Sequence, residues 1–163
     1  MIVSLKKIEE FSKRRVRFYT AQLGENELSE FEYFAEKEYL YKTHFEEMKI
    51  LFNSIEQIQL RGAKQYYFVP EGEANYLPVV GAYIKRENKI DYGVRLYCIR
   101  LRDDLVVLLN GDIKTQLNPK QCKNVSLLFS QALAIAKGLD KALIAKDINY
   151  NDEDPFESFH LEI

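Results

Sequence analysis

An α+β fold built on an antiparallel sheet is the class this chain predicts, and three observations carry it. Two strand-like runs, Val94–Leu101 and Leu105–Leu109, are separated only by Arg102-Asp103-Asp104, a spacing that suits a tight hairpin. Helical periodicities stand before that pair and after it, rather than between its strands. Strands grouped together with helices on either side give the α+β class rather than a parallel α/β sheet.

The elements follow in chain order. Residues 16–23, VRFYTAQL, are rich in β-branched and aromatic side chains, with Val16, Phe18 and Thr20 alternating, and so read as a strand. Ser29 followed by Glu32 forms the pattern of a capping box, opening a first helix with Phe31, Phe34 and Ala35 on one side. Phe45, Met48, Leu51, Phe52, Ile55 and Ile58 recur at three and four residues, which gives a second helix ending before Gly62. QYYFV, residues 65–69, reads as a short strand, and PEGEANYLP, with two prolines and a glycine, reads as a long loop. Leu105–Leu109 is apolar at every position, so it is expected near the sheet centre with both faces covered. The strand is expected to stop at the polar turn Asn110-Gly111-Asp112. The last helix runs from about Val125 to Lys146, N-capped by Asn124, with Val125, Leu128, Phe129, Ala132, Ala136, Leu139 and Leu143 as its stripe. Residues 1–146 are expected to form one domain, and 147–163 an acidic tail with apolar beads that docks as an edge strand.

Composition narrows the function classes. The chain has 163 residues, 47% hydrophobic and 29% charged, ordinary values for a globular domain. No apolar run reaches the roughly 18 residues of a membrane span. MIVSLKKIEEF places acids early and lacks a signal-peptide apolar region, so a cytoplasmic setting is expected. The net charge of −2 conceals blocks: residues 1–24 carry +4, 25–56 carry −6, 85–123 carry +4 and 147–163 carry −6. Two basic blocks facing the same way would attract an anion; acidic helices and basic strands that merely solvate different surfaces are the plainer alternative.

The chain has no phosphate-binding P-loop, no GxGxxG and no GxSxG elbow. His44 and His160, the two histidines, share no metal spacing with each other or with Cys98 and Cys122. Cys98 reads as a small core residue, and Cys122, ahead of a helix, as a candidate activated thiol or an inert one. Glu71 and Glu73 read as solvated loop carboxylates. No metal and no cofactor are expected. The remaining chemistry is that of arginine, lysine and tyrosine around a phosphodiester.

Tyr92-Gly93-Val94-Arg95, then the apolar Val106–Leu109, Gly111, Lys114-Thr115 and a helix carrying Ala132, Ala134 and Ala136, form an ordered set. The stretch YGVRLYCIRLRDDLVVLLNGDIKTQLNPKQCKNVSLLFSQALAIAKG, residues 92–138, resembles the RelE/HigB-type toxin family of bacterial toxin–antitoxin systems. The resemblance implies a RelE-like fold, with two N-terminal helices and one C-terminal helix packed on the sheet. It implies an endoribonuclease that cleaves messenger RNA, on the ribosome in many members, and that an antitoxin protein silences. Arg95 would stabilise phosphate and Lys114 would stand near the scissile phosphate, with Arg100 and Tyr97 as further catalytic contacts. Tyr92, Arg102, Lys120 and Lys123 would hold RNA around them. Fixed cations suit this reaction, because attack of a 2′-hydroxyl builds negative charge on the phosphate oxygens. The chain also departs from the family: one lysine of a two-lysine turn is replaced by Ile113, and the chain is longer and more acidic.

Strand alternation puts Arg95 and Tyr97 on one face and Arg100 and Arg102 on the other, unless a bulge intervenes. An ion pair with an acid from a helix or the tail is the competing role for Arg95. The tail's six acids, from Asp147 to Glu162, suggest either an edge strand or a mask over the basic face. The alternative to the enzyme is a non-catalytic module on the same fold that binds protein or nucleic acid.

Overall fold

The computed structural model describes residues 1–78 and 92–163. It is an α+β protein with a seven-stranded sheet and helices on both faces. The strands are β1 (Ile2–Lys7), β2 (Arg17–Leu23), β3 (Val69–Glu71), β4 (Ala74–Leu77), β5 (Val94–Arg102), β6 (Leu105–Ile113) and β7 (His160–Glu162). Their order is β3-β4-β5-β6-β2-β1-β7, and every pairing is antiparallel except β2 with β6. The helices are α1 (Glu30–Ala35), α2 (Glu38–Thr43), α3 (Phe45–Arg61) and α4 (Ser126–Ile144).

β6 holds the centre of the sheet, and alternation along it feeds two cores. Val106 and Leu108 face α1–α3, packing with Phe18, Leu96 and Cys98 against Phe34, Leu40, Met48, Leu51 and Ile55. Leu105, Val107 and Leu109 face α4, with Tyr19, Tyr97 and Ile99 against Phe129, Ala132, Ile135 and Leu139. A strand apolar at every position is thus covered on both sides, which removes apolar surface from water on each face.

α1 opens on the capping box: the Ser29 hydroxyl accepts from the Glu32 N–H (3.3 Å) and the Glu32 carboxylate accepts from the Ser29 N–H (2.7 Å). Those hydrogen bonds hold the Glu32 carboxyl below its ordinary pKa. They also supply two partners that a six-residue helix would otherwise lack.

Several elements differ from the sequence expectation, each for a local reason. Three helices, not two, follow the first strands, because the chain turns between Glu36 and Lys37 and again at His44. β1, which alternation of Val3 and Leu5 buries against the α4 face, is an additional strand. Gln65–Tyr67 is a single 3-10 turn rather than a strand. PEGEANYLP is not a loop: it contributes most of the β3–β4 hairpin, whose turn uses Gly72 at φ +61. A side chain there would be strained and would approach Leu133 of α4 to 2.7 Å. Pro70 is accommodated because β3 is the sheet's outer strand, where a missing donor costs no ladder bond.

β6 does not stop at Asn110-Gly111-Asp112 but continues through it to Ile113. Gly111 serves close approach: a Cβ there would lie 2.0 Å from the Arg95 carbonyl oxygen. A register shift between Leu96 and Cys98 marks the same place as an irregularity in the ladder. Asn124 does not cap α4. Its amide donates to the Ile113 carbonyl (3.0 Å), and Val125 is the N-cap without a side-chain bond.

The tail ends as β7, antiparallel to β1 at the edge opposite β3. Before that it crosses the β5–β6 turn. Arg17 donates to the Asp152 (2.6 Å), Glu153 (3.1 Å) and Tyr150 (2.8 Å) carbonyls, and the Tyr19 hydroxyl donates to Asp154 (3.0 Å). Phe156 packs edge-on against Tyr19, with ring centroids 4.8 Å apart. The tail therefore does not mask Arg95 and Lys114, which lie at the opposite end of the hairpin. No helix among the described residues is long and apolar enough to cross a membrane.

Candidate functional site

The start of β5 and the residue following β6 lie side by side. The Tyr92 N–H donates to the Lys114 carbonyl (2.8 Å), and the Lys114 N–H donates to the Gly93 carbonyl (2.9 Å). This backbone exchange fixes where Arg95 and Lys114 emerge. Both side chains are inside the protein, each residue only 7% exposed.

Four side chains meet there from four segments. Lys114 Nζ pairs with Glu71 Oε1 of β3 at 3.2 Å. Arg95 lies over the ring of Tyr76 of β4, its Cζ 4.2 Å from the centroid, a cation–π contact. One Arg95 Nη donates to the Tyr92 (2.7 Å) and Val94 (3.3 Å) carbonyls. No carboxylate among the described residues forms an ion pair with it. Tyr97, fully buried on β5, faces the same core and touches Phe129 of α4.

The network is incomplete. The Tyr97 hydroxyl, Arg95 Nε and Glu71 Oε2 are all buried without a hydrogen-bond partner. Burial first, and then the neighbouring Glu71 carboxylate, push the Tyr97 hydroxyl pKa far up, with Arg95 opposing. The Glu71 carboxylate stands close enough to that hydroxyl to raise its pKa both by charge and as a hydrogen-bond acceptor, although the pair falls short of good hydrogen-bond geometry. At neutral pH Tyr97 is a proton donor, never a phenolate. Buried polar atoms are nearly always paired in folded proteins, so three orphans in one place ask for an explanation.

Cys122 sits close by. Its buried sulfur accepts from the Thr115 N–H (3.3 Å) and lies 3.5 Å from the Thr115 hydroxyl. Burial pushes the thiol up, but the Thr115 and backbone hydrogen bonds outweigh it and the net shift is downward.

The other sequence candidates separate into two groups. Arg100 and Arg102 do not join Arg95. Arg100 Nε donates to the Ala63 carbonyl (2.6 Å) and its Nη2 pairs with Asp103. Arg102 grips Asp104 at two points, 2.9 Å each, and reaches Asn151 of the tail at 2.7 Å. Tyr92 is half-buried beside the site, its ring centroid 6.0 Å from Lys114 Nζ. Lys120 and Lys123 are exposed on the segment leading from Lys114 to α4. His44 forms the junction of α2 and α3, and His160 is exposed on β7. Among the described residues no three His, Cys, Asp or Glu side chains are placed to hold a metal ion.

Two residues of the cluster carried no sequence signal. Glu71 read as a solvated loop acid, yet its side chain is only 14% exposed. Tyr76 lies opposite Tyr97 in the β4–β5 register, and only the unexpected hairpin brings it there.

A second polar cluster lies on the α1–α3 side of the sheet. Lys37 Nζ donates to Asn110 Oδ1 (2.9 Å) and the Gly111 carbonyl (2.6 Å), and the Tyr39 hydroxyl donates to Asp112 (2.6 Å). Burial lowers the Lys37 pKa and raises that of buried Glu30. These contacts fasten α1 and α2 to β6.

The open-end cluster therefore offers two fixed cations, a neutral phenol and a carboxylate, a set suited to holding a phosphate and donating a proton to it. Comparison with family models, with curated proteins and with solved structures returns no match for this chain.

Proposed function

We propose that the protein is a RelE/HigB-like endoribonuclease whose site is Arg95, Lys114 and Tyr97. One observation carries the reading: cationic and phenolic groups from β5 and from the end of β6 converge in one buried place and leave Arg95 Nε and the Tyr97 hydroxyl unpaired. A purely structural ion pair has no need of idle donors.

The chemistry is metal-free transesterification. The RNA 2′-oxygen bonds to phosphorus, the 5′-oxygen leaves, and the 2′-proton passes to a base or to water. Arg95 and Lys114 offset the charge that builds on the non-bridging oxygens, and Tyr97 supplies the proton the leaving oxygen takes up. Tyr92, Lys120 and Lys123 would contact the flanking RNA. Arg100 and Arg102 have no part in this reading, because Asp103 and Asp104 hold them elsewhere. On the same reading the fold is RelE-like, the setting is the cytoplasm, the substrate is free or ribosome-bound mRNA, and an antitoxin protein silences the activity.

One observation favours the alternative, a non-catalytic module that binds protein or nucleic acid. Lys114 is neutralised by Glu71 inside the fold, and among the described residues no carboxylate pairs with Arg95. Induced expression in a bacterial host, with wild type beside Arg95→Ala and Lys114→Ala, decides between them. Arrest by wild type, relieved on the order of 100-fold or more by either substitution, with RNA cleaved in lysates, supports the enzyme. Unimpaired growth with intact RNA leaves only the binding module.

A further inference from the structure

We propose that Glu71 is a displaceable internal anion, a plug occupying a phosphate site formed by Lys114, Arg95 and Tyr97. The inference rests on the reading above for the identity of the anion, a nucleotide phosphate, but not on catalysis.

Three observations lead to it. The first is charge. Among the described residues two cations, each more than nine-tenths buried, have one carboxylate near them, and it pairs with Lys114 alone; a buried cation without a full counter-charge is costly. The second is valence. Glu71 meets Lys114 through one oxygen, while its other oxygen, Arg95 Nε and the Tyr97 hydroxyl all lack partners. A planar carboxylate on a short strand does not reach every donor. A tetrahedral phosphate presents acceptors in more directions and suits a divergent set of donors.

The third is the carrier. Glu71 ends the three-residue outer strand β3, and among the described residues β3 is joined to the sheet only through β4, which pairs with β5 over three residues. Contact of Gly72 with Leu133 and an exposed Glu73–Lys137 pair at 3.7 Å hold the turn to α4. Short outer hairpins open at less cost than central strands. Withdrawal of β3 would remove Glu71 while leaving the β5–β6–β2 centre paired.

The test uses the full chain, Glu71→Gln, and inorganic phosphate against chloride at matched ionic strength, read by thermal unfolding and by titration. The variant should melt below wild type in chloride, and phosphate should raise its midpoint saturably. Its apparent phosphate affinity should exceed wild type's on the order of tenfold or more, since no internal anion competes. Adding Lys114→Met to Glu71→Gln should abolish the phosphate response. If Glu71→Gln is unfolded in chloride, phosphate should restore its circular-dichroism signal. Equal phosphate responses in wild type and variant, or no recovery by phosphate, would overturn the plug and leave a structural ion pair. Phosphate binding involves no RNA. A phosphate-responsive variant of a protein that cleaves nothing would sink the nuclease alone, and RNA cleavage by wild type beside a phosphate-blind variant would sink the plug alone.

Discussion

The two ends of the β5–β6 hairpin use the same residue types in opposite ways. At the turn end, Arg102 grips Asp104 at two points and Asn151 at a third, and Arg17 satisfies three tail carbonyls. At the open end, Arg95, Lys114, Tyr97 and Glu71 are more deeply buried and less completely bonded. Half-buried arginines whose guanidinium groups are engaged by several acceptors act as fasteners. Buried ones that leave donors idle retain interaction energy that a ligand can still claim. The difference separates a strap from a candidate site, although both ends bring cations and acids together.

The sharpest way to break this comparison is to remove one charge at each end. Lys114→Met should cost about 3–5 kcal/mol, because it leaves Glu71 charged and alone inside the protein. Lys114→Met with Glu71→Met should recover most of that loss, since replacing both partners removes the stranded charge. Arg102→Met at the turn should cost no more than about 1 kcal/mol, as its pair with Asp104 is well solvated. Urea unfolding of the four proteins measures all three. Equal losses at the two ends would mean that burial at the open end carries no special consequence.

A smaller effect is expected from Arg17→Ala. It removes hydrogen bonds to the Asp152, Glu153 and Tyr150 carbonyls, together worth about 2 kcal/mol. Its signature should be local: faster amide exchange and proteolysis across residues 147–163, with any RNA-dependent phenotype unchanged. Loss of the phenotype in a folded Arg17→Ala protein would tie the strap to the site after all.

The same contrast explains what could be read from the chain beforehand. α3 and α4 were legible because a 3.6-residue period survives in Met48, Leu51, Ile55 and in Phe129, Ala132, Ala136 whatever surrounds them. The β6 centre was legible because five consecutive apolar residues have to be covered on both faces. β3 and β4 were not, since Pro70, Gly72 and Pro78 mimic loop chemistry; Pro70 is acceptable only at the sheet's edge, Gly72 makes the turn and Pro78 follows the hairpin. Asn110-Gly111-Asp112 carries every local mark of a turn, yet Gly111 is there because β5 passes too close for a side chain. At the site, alternation foretold that Arg95 and Tyr97 would share a face and that Arg100 would not, while a register shift between Arg100 and Arg102 takes Arg102 outside that rule. Asp103 and Asp104, next to those arginines in sequence, are what hold them away. Glu71 was illegible because burial of a carboxylate is decided by the strand that lands beside it, and nothing in PEGEAN announces Lys114.

The smallest stability effect, and the finest cut between the two ends, comes from Tyr97→Phe. The hydroxyl has no partner to lose, so the substitution should change stability by less than about 1 kcal/mol, in either direction. At the turn end, Tyr19→Phe would break a bond to Asp154 and should be measurably worse. Alkaline pH adds an independent readout. Burial, reinforced by Glu71, holds the Tyr97 pKa well above that of an unfolded tyrosine, and burial also pushes Tyr150 up to about 12. Such groups stabilise the fold fully below the unfolded value of about 10. As pH rises past that value the unfolded chain releases protons that the folded chain keeps. Stability then falls by about 1.4 kcal/mol per pH unit for each such tyrosine. Tyr97→Phe should remove one tyrosine's share of that slope while leaving the neutral-pH midpoint nearly unmoved. Under the nuclease reading it should also slow RNA cleavage on the order of 100-fold, as removal of a general acid does. A variant that cleaves at the wild-type rate while losing its share of the alkaline slope would confine Tyr97 to the core and leave Arg95 and Lys114 to hold the phosphate without it.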